Sequence, residues 1–305
     1  MRDEKKTQNL LRWEVAGLII QINAEDSELK LETPPGHEKF LIPVENPHAI
    51  WGLHKKAENV NVSEALTLQL CNLPLNQTLI QGTALLRSST WEYWVNTNGN
   101  YEFVLPYDDI PAKVIVEPDF SSGVIQGDFS SKGKAIYPLK NLENRLFSAW
   151  LANLGDIILH ASGVKVDGKG YCFVGDPGAG KSTLAAVLAT DPGVTVLGED
   201  QVVLRYLDGC FWIFGTPWHI NPDMCAPIGI PIEKIFFLDR TLKPGTTRIS
   251  PLDGITRILQ TAFIPYYQSK WVPGILDHLG LLAQQVPFYL LSYKLGTDPL
   301  QIIKD

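Results

Sequence analysis

The sequence predicts an α/β chain, an α+β mixed sheet built around one phosphate-loop step and preceded by a β-rich N-terminal region. Three observations carry this expectation. Residues 1–135 are dominated by β-branched and aromatic runs broken by Asn, Gly, Pro and Asp turns. Residues 136–305 mix strand runs with helix signals. Within that second part, a glycine-rich stretch ending in Lys-Ser joins a strand run to a helix, at Gly175 to Ser182. With 305 residues, 45% hydrophobic and 19% charged, the chain can bury one large core or two ordinary ones.

The bulk properties exclude several classes. A net charge of −7, with no long run of Lys or Arg, argues against a broad nucleic-acid footprint or a membrane-binding arm. The start, MRDEKKTQNL, lacks an apolar run and does not read as a signal peptide. No stretch is apolar for long enough to span a bilayer, since Pro, Gln, Lys and Asp interrupt FIPYYQSKWVPGILDHLGLL. Cys71, Cys172, Cys210 and Cys225 form no CxxC pair, so reduced thiols in a soluble, cytoplasmic protein are expected.

In the first part, EVAGLIIQI and WEYWVN read as strand, and AEDSELKLE alternates weakly, as a half-exposed strand would. Trp13, Trp51, Trp91 and Trp94 are expected to pack in a small sheet rather than to stack on a ligand. SSGVIQGDFSSKGKA, residues 121–135, reads as a loop or domain boundary from its Ser and Gly content. The expected domains are therefore 1–135 and 136–305, and the size and position of the first suit a substrate-docking or lid region.

In the second part, Leu142, Leu146, Trp150 and Leu154 recur at helical spacing, with Gly155 where a helix-ending glycine belongs. DIILHASGVKV and YCFVG read as strands around the turn DGKG. Lys181 to Thr190 is helical by propensity and is stopped by DPG. VTVL is a buried strand ending in GED, and QVVLRY and FWIFG flank an Asp-Gly hairpin turn. IEKIFFLD is another strand. SPLDGITRILQTAF opens a helix with Ser250 as N-cap, Pro251 at the first position and Asp253 in the first turn. A helix near 273–285 and the strand VPFYLLSYKL close the chain.

Gly175-Asp176-Pro177-Gly178-Ala179-Gly180-Lys181-Ser182 fits G-x-x-x-x-G-K-[ST] without a gap, and Thr183 follows. Glycines let the backbone curl until successive N–H groups face phosphate oxygens. A helix starting at Lys181 turns the positive end of its dipole to the same oxygens. Lys181 brings an ammonium to the β and γ phosphates, and Ser182 offers a hydroxyl to Mg²⁺. ATP with Mg²⁺ is the expected cofactor pair. The alternative, a glycine turn that merely opens a helix, does not account for the Lys-Ser ending. Antiparallel hairpins before and after the loop separate it from the largely parallel sheet of a simple nucleotide kinase or GTPase.

The segment LHASGVKVDGKGYCFVGDPGAGKSTLAAVLA, followed by VTVLGEDQVVL, resembles the HPr kinase/phosphorylase family, whose catalytic domain is related to phosphoenolpyruvate carboxykinase. His160 matches that family's histidine on the strand before the loop. Gly175 to Ser182 match its loop, with Pro177 where the family has Ser, and Glu199-Asp200 match its acid pair, with Glu in place of the first Asp. GTPWHINPDMCAPIGIPIEKIFFLDR is similar to the corresponding stretch of HPr-kinase-related proteins outside sugar regulation. The likeness spans roughly residues 140 to 305; residues 1–135 do not resemble the family's amino-terminal domain, and its later glycine-rich signature is absent.

The resemblance implies an HPr-kinase-like phosphotransferase acting on a serine of a small protein or peptide, with a reverse phosphorylase activity and a ring or dimer of subunits. Asp200, at a strand end beside the expected γ-phosphate, is the candidate base for the attacking hydroxyl. Glu199 is the candidate Mg²⁺ ligand with Ser182. His160 would contact phosphate or hold Asp200, although a lone histidine in an apolar strand also serves simply as core. His219, Arg240, Arg248 and Arg257 are weaker candidates, the arginines for charge on the moving phosphoryl group. Two other classes stay open. An ABC-type ATPase subunit needs an LSGGQ-like signature, which does not occur. A non-catalytic ATP-binding switch module would keep the loop and lose transfer.

Overall fold

The computed structural model describes residues 9–24, 29–43, 63–73, 75, 81–129, 135–219, 221–239, 244–293 and 298–304. Of these, the residues up to Trp150 form one compact unit and those from Leu151 a second. Both are built on large mixed sheets, and five α-helices complete the described chain, an α+β arrangement.

The first unit contains β1 (Leu10–Val15), β2 (Leu18–Ala24), β3 (Ala65–Asn72), β4 (Gly82–Arg87), β5 (Glu92–Asn96), β6 (Tyr101–Leu105), β7 (Ala112–Val116) and β8 (Ser122–Gly127). Their order across one sheet is β1-β2-β3-β8-β7-β6-β5-β4, parallel at β2–β3 and β3–β8 and antiparallel elsewhere. The run EVAGLIIQI turns out to be a hairpin, because Ala16 and Gly17 take left-handed backbone at φ 56° and 80°. Period-two alternation puts Ile20, Ile22, Leu66, Leu68, Val114 and Ile125 on the buried face. Trp13 is fully buried, whereas Trp91 and Trp94 lie under the Arg145 and Arg87 guanidiniums; Trp51 lies outside the described residues.

Two expectations for this region are corrected. Residues 122–127 are not a loop but β8, paired with β3 on one side and β7 on the other. Its glycines serve close packing: a Cβ on Gly123 would lie 2.3 Å from the Ile115 carbonyl oxygen, and one on Gly127 would lie 2.7 Å from the Phe129 ring. Of the stretch AEDSELKLE, Ala24 ends β2 and residues 29–32 form no strand; Leu29 and Leu31 are buried, and Leu31 makes one isolated bridge to Ile136.

The units divide inside α1 (Glu143–Asn153), not at 135/136. Leu142, Leu146, Phe147 and Trp150 are buried, the Trp150 ring stacks on Phe120 at 5.9 Å, and its Nε1 donates to the Ser63 carbonyl at 2.8 Å. Those contacts tie the front of the helix to the first core. Gly155, at φ 82°, ends it in the expected way.

The second unit runs β9 (Ile157–Val166), β10 (Lys169–Val174), α2 (Lys181–Leu188), β11 (Val194–Gly198), β12 (Gln201–Leu207), β13 (Cys210–Gly215), β14 (Gly229–Leu238), β15 (Gly245–Arg248), α3 (Pro251–Thr261), α4 (Val272–Gln285), β16 (Phe288–Ser292) and α5 (Pro299–Lys304). Asp167-Gly168 and Asp208-Gly209 take the positive φ values that tight hairpins demand. Ser250 caps α3 by accepting from the Asp253 amide. Pairings β9–β10, β10–β14, β14–β13, β13–β12 and β12–β9 close into a ring; only β10–β14 is parallel within it. Leu184, Ala185 and Leu188 bury one face of α2 against Val164, Phe173 and Phe236. All four cysteines are free, and burial pushes the Cys172 thiol up to about 12, which makes it inert. Among the described residues no helix is long and apolar enough to cross a membrane.

Candidate functional site

Strand order builds the site. β9 pairs with β10 over Ala161–Val166, while on its other side β11 pairs with Gly163–Val166 and β12 with Ile157–His160. The Glu199-Asp200 turn, which joins β11 to β12, therefore falls against the middle of β9. The Ala161 amide donates to the Asp200 carbonyl at 3.0 Å, and Ser162 Oγ donates to the Glu199 carbonyl at 2.6 Å. Val174, the last residue of β10, pairs with Ala161, so the glycine loop leaves the sheet beside His160. His160 thus lies between the loop and the acid pair.

The loop from Gly175 to Gly180 curls through Gly178 and Gly180, at φ 81° and 100°. The Ala179 amide closes a turn onto the Asp176 carbonyl at 3.0 Å. Asp176, Pro177 and Gly178 are exposed, as are Ser182 and Thr183 in the first turn of α2. No side chain caps that helix. Its first amides are donors left for another acceptor.

Lys181 is buried and uses all three ammonium protons. Its Nζ donates to the Gly175 carbonyl at 2.7 Å, to the Asp176 carbonyl at 3.2 Å and to His160 Nε2 at 3.0 Å. An ammonium cannot accept, so Nε2 is the acceptor and the imidazole proton is on Nδ1. That nitrogen faces Asp200 Oδ1 at 3.2 Å. Lys181, His160 and Asp200 therefore stand in line, joined by one hydrogen bond and one close approach of Nδ1 to a carboxylate oxygen, drawn from loop, strand and turn. Burial holds Lys181 below the usual lysine range, partly opposed by the carboxylates of Asp200 and Asp176.

Glu199 is not part of that line of three: its Oε1 accepts from the Asn221 amide at 3.1 Å. His219 is packed on Gly198, where a Cβ would lie 2.7 Å from its ring, and its Nε2 is 3.3 Å from Thr216 Oγ1. It supports the acid turn and does not join the chain of three. Arg257 lies over the Phe237 ring, and Arg248 faces Tyr289 across β15–β16. Neither arginine enters the described hydrogen bonds around Lys181; Arg240 is outside the described residues. Two supports were not foreseen. Tyr293 donates its hydroxyl to the Gly180 carbonyl at 3.2 Å, pinning the loop's end, and nothing in the local sequence marks it. Ser162 did leave a signal, since a hydroxyl in an apolar strand needs a partner.

The donors present suit a hard cation that arrives with phosphate. Among the described residues no three His, Cys, Asp or Glu side chains gather into a metal cage. Mg²⁺ commonly takes one or two protein oxygens and completes its shell with water and substrate phosphate. The exposed Ser182 hydroxyl and the half-buried Glu199 carboxylate are oxygens of that kind.

No protein-family model matches the chain, and no curated protein matches it. Among solved structures, the Hpr(Ser) kinase/phosphatase from Coxiella burnetii is similar at 16% identity, with 48% of this chain and 86% of that chain covered and a TM-score of 0.27. A likeness of that size supports no statement about chemistry, which has to come from the residues themselves.

Proposed function

We propose that the protein is an ATP- and Mg²⁺-dependent phosphotransferase that moves the γ-phosphoryl group onto a hydroxyl, a serine of a small protein or peptide. The observation that carries this reading is the line Lys181–His160–Asp200, one hydrogen bond and one close approach of Nδ1 to Oδ1, at the mouth of an uncapped, glycine-curled loop. The loop amides and Lys181 suit a polyphosphate, and a carboxylate beside the same histidine suits a hydroxyl nucleophile.

In the proposed reaction the hydroxyl oxygen attacks the γ-phosphorus, the bond from that phosphorus to the β,γ-bridging oxygen breaks, and ADP leaves. Asp200 takes the hydroxyl proton. Lys181 exchanges its loop carbonyls for phosphate oxygens and balances the charge that builds on them. His160, donating from Nδ1, holds the Asp200 carboxylate in place. Bound by Ser182 and Glu199, Mg²⁺ would supply charge neutralisation at the phosphates.

The test is transfer from radiolabelled ATP into an extract of the cells that make the protein, with parent, Asp200→Asn and Lys181→Ala proteins side by side. Asp200→Asn is expected to keep nucleotide affinity and to lose labelling by about 10²- to 10⁴-fold, the usual worth of a general base. Lys181→Ala is expected to lose both. Equal labelling by Asp200→Asn and parent would sink the assignment. Nucleotide binding with no labelled acceptor in any extract would favour the switch module.

A further inference from the structure

The second unit holds a cavity of about 220 Å³ that the phosphoryl-transfer reading does not use. It lies where the end of β15, the start of α3, the end of α4 and the start of β16 meet. All the residues that line it are described, and the strand ends that lead to residues 240–243 and 294–297 are the opposite ones, at Gly245 and Ser292. Its volume falls below the range of about 300–1,000 Å³ usual for larger ligands, so a nucleotide does not fit and a small molecule does.

The two rims of the cavity carry opposite charge. On one, Arg248 ends β15, and its guanidinium has no hydrogen-bond or ion-pair partner among the described residues. No Asp or Glu lines the cavity to answer that charge. Pro251, at the first position of α3, brings the positive end of that helix's dipole to the same rim. The other rim is the last turn of α4. There the Val286 amide takes the Leu282 carbonyl at 2.8 Å, and Pro287 has no amide to offer the Ala283 carbonyl. The carbonyls of Ala283, Gln284 and Gln285 accept no backbone bond from beyond the helix and lie at the negative end of its dipole. Between the rims, Ile249, Val286, Pro287 and Phe288 make an apolar wall.

A single charge of either sign would satisfy one rim and face its like at the other. A molecule with a carboxylate and an ammonium on one carbon satisfies both. We propose that this cavity binds a free α-amino acid with an apolar side chain. Its carboxylate meets the planar fork of Arg248, its ammonium donates to the carbonyls that end α4, and its side chain lies on the apolar wall. The site is apart from the phosphate loop: Phe288 at the cavity and Tyr293, whose hydroxyl bonds the Gly180 carbonyl, are about 16 Å apart along the strand. The inference stands whether or not that loop transfers phosphate.

Equilibrium dialysis of the full chain against radiolabelled L-leucine, with unlabelled competitors, tests it. L-Leucine is expected to bind about tenfold or more tighter than L-leucinamide, which lacks the carboxylate, or N-acetyl-L-leucine, which lacks the ammonium. L-Aspartate, which would lay a second carboxylate on the apolar wall, should bind as weakly as those two. Arg248→Gln should bring leucine down to the affinity of leucinamide while its advantage over N-acetyl-leucine is kept. Ala283→Phe, which fills the cavity from α4, should remove leucine binding. The near-ultraviolet circular dichroism and melting temperature of each variant check that it folds. Equal binding of leucine and either blocked form, no leucine binding up to its solubility limit, or binding untouched by both variants would overturn the inference. So would leucyl-leucine binding as tightly as leucine, because its two charges sit on different residues and a peptide would then be the occupant.

Discussion

Each unit sets a histidine against a carboxylate, and the two pairs differ in what closes around them. In the first, His37 Nε2 lies 2.9 and 3.0 Å from the two Glu143 oxygens, Trp13 Nε1 donates to Glu143 Oε1 at 3.1 Å, and the His37 and Glu143 side chains are only 6% and 4% exposed. Burial first, and then the Glu143 carboxylate, raises Tyr137 well above the usual phenol range, so it keeps its proton. In the second, His160 and Asp200 are 25% and 36% exposed, and the histidine's other nitrogen meets a lysine beside an open loop. A closed pair locks elements together. An open pair, joined to a cation that can change partners, is reachable by substrate. The same residue types do structural work in one place and can do chemistry in the other.

The largest expected effect separates those roles. Glu143→Ala leaves Trp13 Nε1–H and the His37 Nε2 proton without their buried acceptor. At roughly 1–3 kcal/mol for each unsatisfied group, the loss is about 2–6 kcal/mol of stability. Urea unfolding measures it, and the affinity of the remaining folded protein for ADP should stay at the parent value. A change in ADP affinity as large as that of Lys181→Ala would end the distinction between a structural and a chemical pair.

Glycines sharpen the same contrast at a smaller scale. A Cβ on Gly123 would strike a backbone carbonyl of β7, so Gly123→Ala should cost about 1–3 kcal/mol by overpacking and leave ADP binding alone. Gly178 faces open space but sits at φ 81°. Gly178→Ala should cost about 1–2 kcal/mol of backbone strain and lower ADP affinity, because the strained segment is the proposed phosphate loop. Thermal melts with and without ADP distinguish the two outcomes; matching ADP responses would contradict the assignment of the loop.

Much of the candidate site was legible because its chemistry is contiguous. The run Gly175 to Ser182 fixes curl, helix start and lysine together, and Glu199-Asp200 end a recognisable buried strand. The partnership of His160 with Asp200 was one of three readings of that histidine, since it depends on β12 and β10 flanking β9, an order that no local pattern encodes. β8 was read as a loop because Gly and Ser are scored by what they usually do in turns, whereas here small size lets strands approach. The weak alternation in AEDSELKLE was read as a half-exposed strand; Leu29 and Leu31 are buried, but burial on one face does not require a ladder partner. Helix α1 looked like the opening of the second domain because its apolar spacing is equally suited to either core. Its contacts assign its front to the first core: Glu143 with Trp13 and His37, and Trp150 with Phe120 and the Ser63 carbonyl.

The smallest expected effect concerns the charge of Lys181, for which the closed pair of the first unit has no counterpart. Burial lowers its pKa from the usual 10.5, with Asp200 and Asp176 opposing that shift. Between the lowered value and 10.5, the unfolded chain holds a proton that the folded chain has released. Stability therefore gains with pH across that window, and below it the cost of burying the ammonium is fully present. A bound polyphosphate reverses the local field and favours the protonated lysine, so binding takes up protons in the same window. ADP affinity should accordingly fall as pH rises through it, by up to about tenfold for each unit by which phosphate raises the lysine pKa. Calorimetry in two buffers of different ionisation enthalpy should detect the uptake directly. Lys181→Gln should flatten the profile, since no proton is left to exchange at that position. A steep profile surviving in Lys181→Gln would place the titrating group elsewhere and remove the lysine from the centre of the site.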